Sequence, residues 1–300
     1  MQQSSLPEKF DDSREEQGFE VLKNMILKNL GLKCDFYRDS YLRRRINYRM
    51  RSHGIDSYWN YINLLKINKK EFSLLIKDLT INYTKFFRDP DVFEFFKEQI
   101  LPNLLASKKT IRILSAGCAS GEEPYTISMI INDILGEKIN AYLISIYAVD
   151  IDNFCLKKAE CGEYDQQELL DMSEHYMSKY FVREGQKFRV KENVKKLVHF
   201  KCADLTQKLP YKFLDVIFCR NVFIYFNKSG QAEIFKNFYD CLNKDGYLII
   251  GKTEMLPEEV RKLFKCLNSV CKVFQKNEIT ETSSLDFSVK EFPQKVVQTS

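Results

Sequence analysis

The stretch ILSAGCASGEEPY, Ile113 to Tyr125, decides the fold. Ile111, Ile113 and Leu114 are apolar residues of strand type, so the run reads as a short buried strand. Gly117 and Gly121 permit positive φ and let a ligand come close to the backbone. From Glu123 onward, Tyr125, Ile127, Met129, Ile130, Ile134 and Leu135 recur at helical spacing. Pro124 sits where a first helical turn tolerates proline. Strand, glycine turn and helix form the opening unit of a nucleotide-type α/β domain. The spacing is not GxGxxG, and no Lys-Ser/Thr pair follows Gly121, which argues against a P-loop. Taken alone, the stretch also fits an ordinary strand-to-helix turn.

Downstream, strand-like runs alternate with helices: IRILSAG, LISIYAVD, LVHFKCAD, LDVIFCRN and YLIIG. Such alternation predicts a parallel sheet with helices on both faces. The rhythm breaks at about 164–195, where KYFVREGQKFRV reads as a hairpin around Glu184-Gly185 and looks inserted. A helix near Pro257 to Phe264 and an antiparallel pair, FKCLNS and VCKVFQK, close the domain. Upstream the pattern is helical. Leu42, Ile46 and Met50 form one apolar stripe; Tyr58, Tyr61, Ile62 and Leu65 a second; Phe72, Leu75, Ile76 and Leu79 a third. After a break at TINYT, RDPD opens a helix over Val92 to Leu105, with Pro102 near its end. The predicted organisation is a flexible N-terminus (1–17), a helical domain (18–90), a linker helix (91–110), an α/β domain (111–276) and a flexible tail (277–300).

Composition is that of a soluble globular protein with room for a large core. No apolar run reaches membrane-spanning length, and the polar, acidic N-terminus is unlike a secretory signal. Nine scattered cysteines contain no CxxC pair, and His53, His175 and His199 are far apart. That pattern predicts no metal site and reduced thiols in a cytoplasmic protein. Between Lys33 and Lys70, ten basic residues face three acidic ones, a surplus of seven against +5 for the whole chain. An acidic partner for this end is therefore expected.

Ligands of doubly wound sheets bind beyond the carboxyl ends of the strands. The second strand ends in Asp150, suited to a ribose diol. The third ends in Asp204, suited to an adenine amino group. The fourth leads to Asn221 and Tyr225. Each acid alone could simply cap a helix; four strand ends in register point to an adenosine ligand. NAD and S-adenosylmethionine are the candidates, and the dehydrogenase fingerprint is missing.

Four ordered motifs, LTINYTKFFRDPDVF, SAGCASGEEPY, VDID and FCRNVFIYF, resemble those of the CheR-type chemotaxis receptor methyltransferases, over roughly residues 20 to 275. The resemblance implies a Rossmann-like S-adenosylmethionine methyltransferase domain (α/β) with a small β-subdomain insertion, preceded by an all-α N-terminal domain. It implies methylation of glutamate side chains on chemoreceptor cytoplasmic helices, releasing S-adenosylhomocysteine. By motif, it assigns cofactor contacts to Asn82, Thr84, Arg88, Glu122, Asp150, Asp204, Leu205, Asn221 and Val222, with Glu122 at the methionine amino group. Arg88 and Tyr225 would flank the methyl group as the catalytic pair. Arg43, Arg44 and Arg49, on YLRRRINYRMR, would dock acidic receptor helices, unless they are only a solvated face. Arg88 could instead form a salt bridge with Asp89 or Asp91, and Tyr225 could be a core aromatic.

Two positions depart from the family pattern. Asp204 stands where Asn is common, and Lys252 stands where His is usual. The short, glycine-poor VREGQKF turn resembles members that dock without a receptor C-terminal pentapeptide. A monomer that binds no nucleic acid and does not insert directly into a membrane is expected. The competing expectations are a non-catalytic S-adenosylmethionine sensor and a methyltransferase of the same fold acting on RNA or a small molecule.

Overall fold

A computed structural model of the chain describes residues 12–80 and 82–278. Four helices come first: α1 (Asp12–Leu30), α2 (Asp39–Ser52), α3 (Tyr58–Ile67) and α4 (Lys69–Leu79). Their stripes share one core, in which Leu42, Ile46 and Met50 join Tyr61, Ile62, Leu65, Leu75 and Leu79. A carboxylate is built into it. Glu71, 2 % exposed, accepts from Arg49 Nε (2.9 Å), Arg49 Nη2 (2.5 Å) and Tyr61 Oη (2.8 Å), and lies 2.7 Å from His53 Nε2. Burial pushes this carboxyl up, but the hydrogen bonds from Arg49, His53 and Tyr61 outweigh it and bring the pKa down to about 2.

The expectation of a flexible 1–17 is corrected from residue 12 onward, which is helical. Glu15 accepts from Ser57 Oγ (2.7 Å) and Tyr58 N (2.8 Å), so it caps α3 from another helix. Glu16 binds Arg43 (2.6 Å), and the Arg14 carbonyl accepts from Trp59 Nε1 (3.0 Å). Residues 1–11 lie outside the described residues, as does the predicted tail from 279 on. Asn277 and Glu278 are tied down, through Leu263 O (2.9 Å) and Lys244 (2.5 Å) respectively.

The aromatic-rich helix runs further than expected. It comprises α5 (Pro90–Phe95), a π-helical turn at Phe96–Ile100 and α6 (Leu101–Ser107). A proline inside an α-helix crowds the carbonyl four residues back; the wider turn just before Pro102 makes room for it.

Strands and helices then alternate through β1 (Thr110–Ala116), α7 (Glu122–Leu135), β2 (Leu143–Asp150) and α8 (Asn153–Cys161). The insertion carries β3 (Glu163–Asp165), α9 (Glu174–Tyr180), β4 (Phe181–Glu184), β5 (Lys187–Val190) and α10 (Glu192–Lys195). The main sheet resumes with β6 (Val198–Cys202), β7 (Leu214–Cys219), α11 (Lys228–Cys241), β8 (Leu242–Ile250), α12 (Glu258–Arg261), β9 (Phe264–Asn268) and β10 (Val273–Lys276). Its order is β6-β2-β1-β7-β8-β10-β9, parallel through β8, with β10 antiparallel to both neighbours. The inserted sheet is antiparallel, in order β3-β5-β4; Glu184 pairs with Lys187 around a two-residue Gly185–Gln186 turn. The order in which strands are added reverses between the parallel neighbours β1 and β7, so the crevice for a ligand opens beyond their carboxyl ends.

The helical domain closes over that crevice. Arg38 N donates to Tyr225 O (3.0 Å), Asn227 N to Phe36 O (2.9 Å), and Thr80 Oγ1 and Asn82 Nδ2 to Asp152 Oδ2 (2.9 and 2.7 Å). Among the described residues, no helix is long and apolar enough to cross a membrane.

Candidate functional site

Beneath the 79–88 segment lies a cleft of about 910 Å³, its open mouth included. The turn after β1 forms its floor. Gly117 has φ +75°, and a Cβ there would stand 2.4 Å from Val222 Cγ2; only glycine lets the β1 and β7 ends approach so closely.

Asp150 ends β2 and lines the cleft, 8 % exposed. Its Oδ2 accepts from Ala119 N (2.8 Å) and its Oδ1 from Asp152 N (2.9 Å). Burial raises its pKa. Each oxygen keeps a second lone pair for a hydroxyl donor. Asp204 Oδ1 accepts from both the backbone N and the hydroxyl of Thr206 (2.8 Å each), while its Oδ2 is buried without a partner. Asn221 Oδ1 is likewise buried and unpartnered. Leu205 and Val222 supply apolar walls. Orphaned acceptors are costly unless a ligand donor meets them. Adenosine brings an amino group and a diol, so these residues fit it.

Glu122 requires a correction. It does not line the cleft; its neighbour Glu123 does. Glu122 is 2 % exposed, and both of its oxygens accept from Ser120 Oγ (2.8 and 2.9 Å). Burial with so little compensation pushes its pKa up to about 7. Glu123 Oε1 accepts from Ser115 Oγ (2.7 Å) and Oε2 from Arg220 Nη1 (3.3 Å), which leaves it the acid available to a ligand ammonium.

Arg88 lines the cleft between two residues with left-handed backbone, Phe87 (φ +51°) and Asp89 (φ +56°). Its Nη1 donates to Tyr83 O (3.1 Å) and its guanidinium lies 5.6 Å from the Tyr83 ring centroid. Neither alternative salt bridge forms: Asp89 pairs with Arg220 (2.5 Å) and Asp91 with Lys252 (2.7 Å). Lys252, away from the cleft, has become a helix-tethering cation. Tyr225 is half-buried at the cleft wall, 5.0 Å from the Tyr41 ring, and burial raises its pKa, so the phenol stays a donor. Asn82 and Thr84 also line the cleft; the Asn82 amide is already donated to Asp152. Six described non-glycine residues have positive φ; of these, Ala119 and Asn221 line this cleft and Phe87 and Asp89 flank Arg88, which lines it too, each at a cost of about 1–3 kcal/mol.

The arginines of the basic helix are not all free to meet a partner. Arg49 is consumed by Glu71 and Asp78 (2.5 and 3.3 Å), with its side chain 14 % exposed, which removes it from the docking set. Arg43 is held by Glu16 and stacks 3.8 Å over Phe19. Arg44 is exposed and makes no ion pair with the described residues. Sequence patterns missed Glu123, Arg220 and Tyr37, all of which line the cleft. The nine cysteines are free thiols.

Residues 17–80 match the family model described as CheR methyltransferase, all-alpha domain, and residues 82–273 match CheR methyltransferase, SAM binding domain. A chemotaxis protein methyltransferase of Borreliella burgdorferi is 34 % identical over 245 residues, covering 78 % of this chain and 87 % of that protein. One from Escherichia coli K12 is 33 % identical over 248 residues, covering 79 % and 83 %.

Proposed function

The chain belongs to the CheR methyltransferase family, with S-adenosylmethionine as its cofactor, and on that premise we propose that it methylates glutamate side chains on the cytoplasmic helices of chemoreceptors. The observation that carries this is the meeting, in one cleft, of adenosine-type acceptors with a guanidinium that no carboxylate among the described residues has claimed.

When bound, the cofactor supplies an electrophilic methyl group on a positively charged sulfur. Asp204 and Asn221 hold its base end, Asp150 the ribose, and Glu123 its ammonium. Arg88 orients the incoming glutamate carboxylate by hydrogen bonds of fixed geometry. Sharing one N–H with the Tyr83 carbonyl (3.1 Å) limits how strongly it can neutralise that carboxylate. Tyr225, in the lining of the same cleft, donates a hydrogen bond and excludes water. A glutamate with an ordinary pKa near about 4.3 is ionised at neutral pH, so no base is needed, and none of the three histidines lines the cleft. Alignment is then the main task, and it can supply roughly 7–11 kcal/mol of the barrier. The two-residue Gly185–Gln186 turn supports docking without a pentapeptide.

The test is transfer of labelled methyl from S-adenosylmethionine to a chemoreceptor cytoplasmic fragment. Base-labile label on glutamate, lost in Arg88→Ala and reduced in Tyr225→Phe, is the expected result. Tight cofactor binding without label on any receptor fragment would refute the proposal and leave a cofactor-sensing module. Label in RNA or metabolites instead would reassign the substrate.

A further inference from the structure

Arg220 directly follows β7, and its side chain is 2 % exposed. Its Nη2 donates to the backbone carbonyl of Arg88 (2.6 Å) and to Asp89 Oδ2 (2.5 Å). Its Nη1 donates to Glu123 (3.3 Å), and its guanidinium lies 5.1 Å from the Phe93 ring centroid. One buried cation thus ties together three separate segments that line the cleft: the 87–89 turn, the start of α7 and the end of β7.

The turn needs such a tie. Phe87 and Asp89 both occupy left-handed backbone without being glycine, a conformation that persists only where the surroundings enforce it. The Arg88 head group is held by one hydrogen bond and by the ring of the same residue, Tyr83, so its position depends largely on its own backbone. That backbone is anchored to the end of β7 by Arg220, and to α7 by Phe87 N donating to Thr126 Oγ1 (3.2 Å). Arginine suits the position because a planar fork reaches a carbonyl and two carboxylates at once, which a lysine cannot.

We propose that Arg220 is a positioning residue for methyl transfer: it fixes the Phe87–Asp89 turn and so sets where the Arg88 guanidinium meets the substrate carboxylate. This rests on the role given to Arg88 above. Misplacement by about 1 Å can cost about a hundredfold in rate.

The experiment compares Arg220→Lys, Asp89→Asn, Arg88→Lys and the Arg220→Lys/Arg88→Lys double variant. For Arg220→Lys, kcat is expected to fall by about tenfold or more. The KM for the receptor fragment and the calorimetric Kd for S-adenosylhomocysteine should stay within about threefold, since lysine keeps a cation beside Glu123. Hydrogen exchange of residues 83–89 should rise in the cofactor-free protein. Asp89→Asn should repeat the pattern, which covers the case of an unfolded Arg220 variant. In the double variant the losses should be far from additive, because one residue acts through the other. Additive losses, or a fall in cofactor affinity equal to the fall in kcat, would overturn the proposal and leave Arg220 a purely structural cation. If Arg88→Lys itself leaves transfer intact, the role of Arg88 fails and this inference fails with it. If Arg88→Lys is crippled while Arg220→Lys retains full kcat, this inference alone fails.

Discussion

Glu122 and Glu123 are adjacent and identical in type, and burial raises the pKa of both, yet the structure gives them different partners, and a pair of isosteric substitutions separates them. Glu122 rises from an ordinary 4.5 to about 7, through burial. A raised folded-state pKa contributes stability that is fully present below the unfolded value and is lost as pH rises through the folded one. The ionised carboxylate therefore penalises folding by roughly 3 kcal/mol at pH 8 and by about 1 kcal/mol at pH 5. Glutamine removes the charge but brings amide hydrogens. Ser120 Oγ, which now donates to both oxygens, can reverse and accept one of them; the unmet hydrogen costs about 1 kcal/mol. Glu122→Gln should thus stabilise the protein by about 2 kcal/mol at pH 8, a rise of several degrees in Tm, and leave it unchanged near pH 5. Cofactor affinity should hold. Glu123→Gln should instead weaken calorimetric binding of S-adenosylhomocysteine by about tenfold or more, the worth of one charge-assisted hydrogen bond. Differential scanning calorimetry at the two pH values and one titration per variant decide the matter. A Tm difference for Glu122→Gln that does not change with pH would refute the burial argument. Loss of cofactor binding in Glu122→Gln, with Glu123→Gln unaffected, would return the ammonium to Glu122.

Three further outcomes are expected. Glu71, brought down from 4.5 to about 2, contributes roughly 3 kcal/mol that is present above the unfolded pKa and lost as pH falls through the folded one; acid unfolding followed by Trp59 fluorescence should lose this component in Glu71→Gln, and an unchanged acid transition would contradict the assignment. Reversing Arg44 to Glu should slow association with a receptor fragment at low salt and matter little at high salt, with Tm unchanged, whereas Arg49→Glu should lower Tm sharply by stranding Glu71, worth about 3–5 kcal/mol; matching effects of the two on Tm would refute the division of the basic helix. Asp204→Asn must present a donor either to Thr206 N–H or to the cleft, since Oδ1 already serves Thr206 and Oδ2 is orphaned; cofactor affinity should fall about fivefold or more despite the family's common asparagine, and tighter binding would mean that Oδ2 meets no ligand donor.

The α/β domain was legible because its signals are local. Runs such as LDVIFC are buried at every position and bounded by polar turns, so they read as central parallel strands without knowledge of their partners. The strand-end acids were legible for the same reason, since topology alone puts Asp150 and Asp204 at the crevice. What escaped was set by distant partners. Helix from residue 12 depends on Glu15 capping a helix start 42 and 43 residues away. The charge surplus of α2 counted Arg49 as surface, although Glu71, just beyond the counted window, neutralises it from inside the core.

The choice between Glu122 and Glu123 fails for a sharper reason. Helical phase normally tells an inward side chain from an outward one, because one face of the helix stays polar. On α7 eleven of the fourteen residues are buried, since the helix is covered by the sheet and by the inserted subdomain, so no polar face exists to set the phase. Only the partners distinguish the two acids. Ser120 closes on Glu122, whereas Ser115 and Arg220 hold Glu123 toward the cleft. The same buried packing permits the strained turns at Phe87, Asp89, Ala119 and Asn221, each of which conflicts with local propensity. A site assembled from long-range ties is therefore least legible where it is most rigid, and the substitutions that reveal it are those that cut a tie while leaving the residue it positions in place.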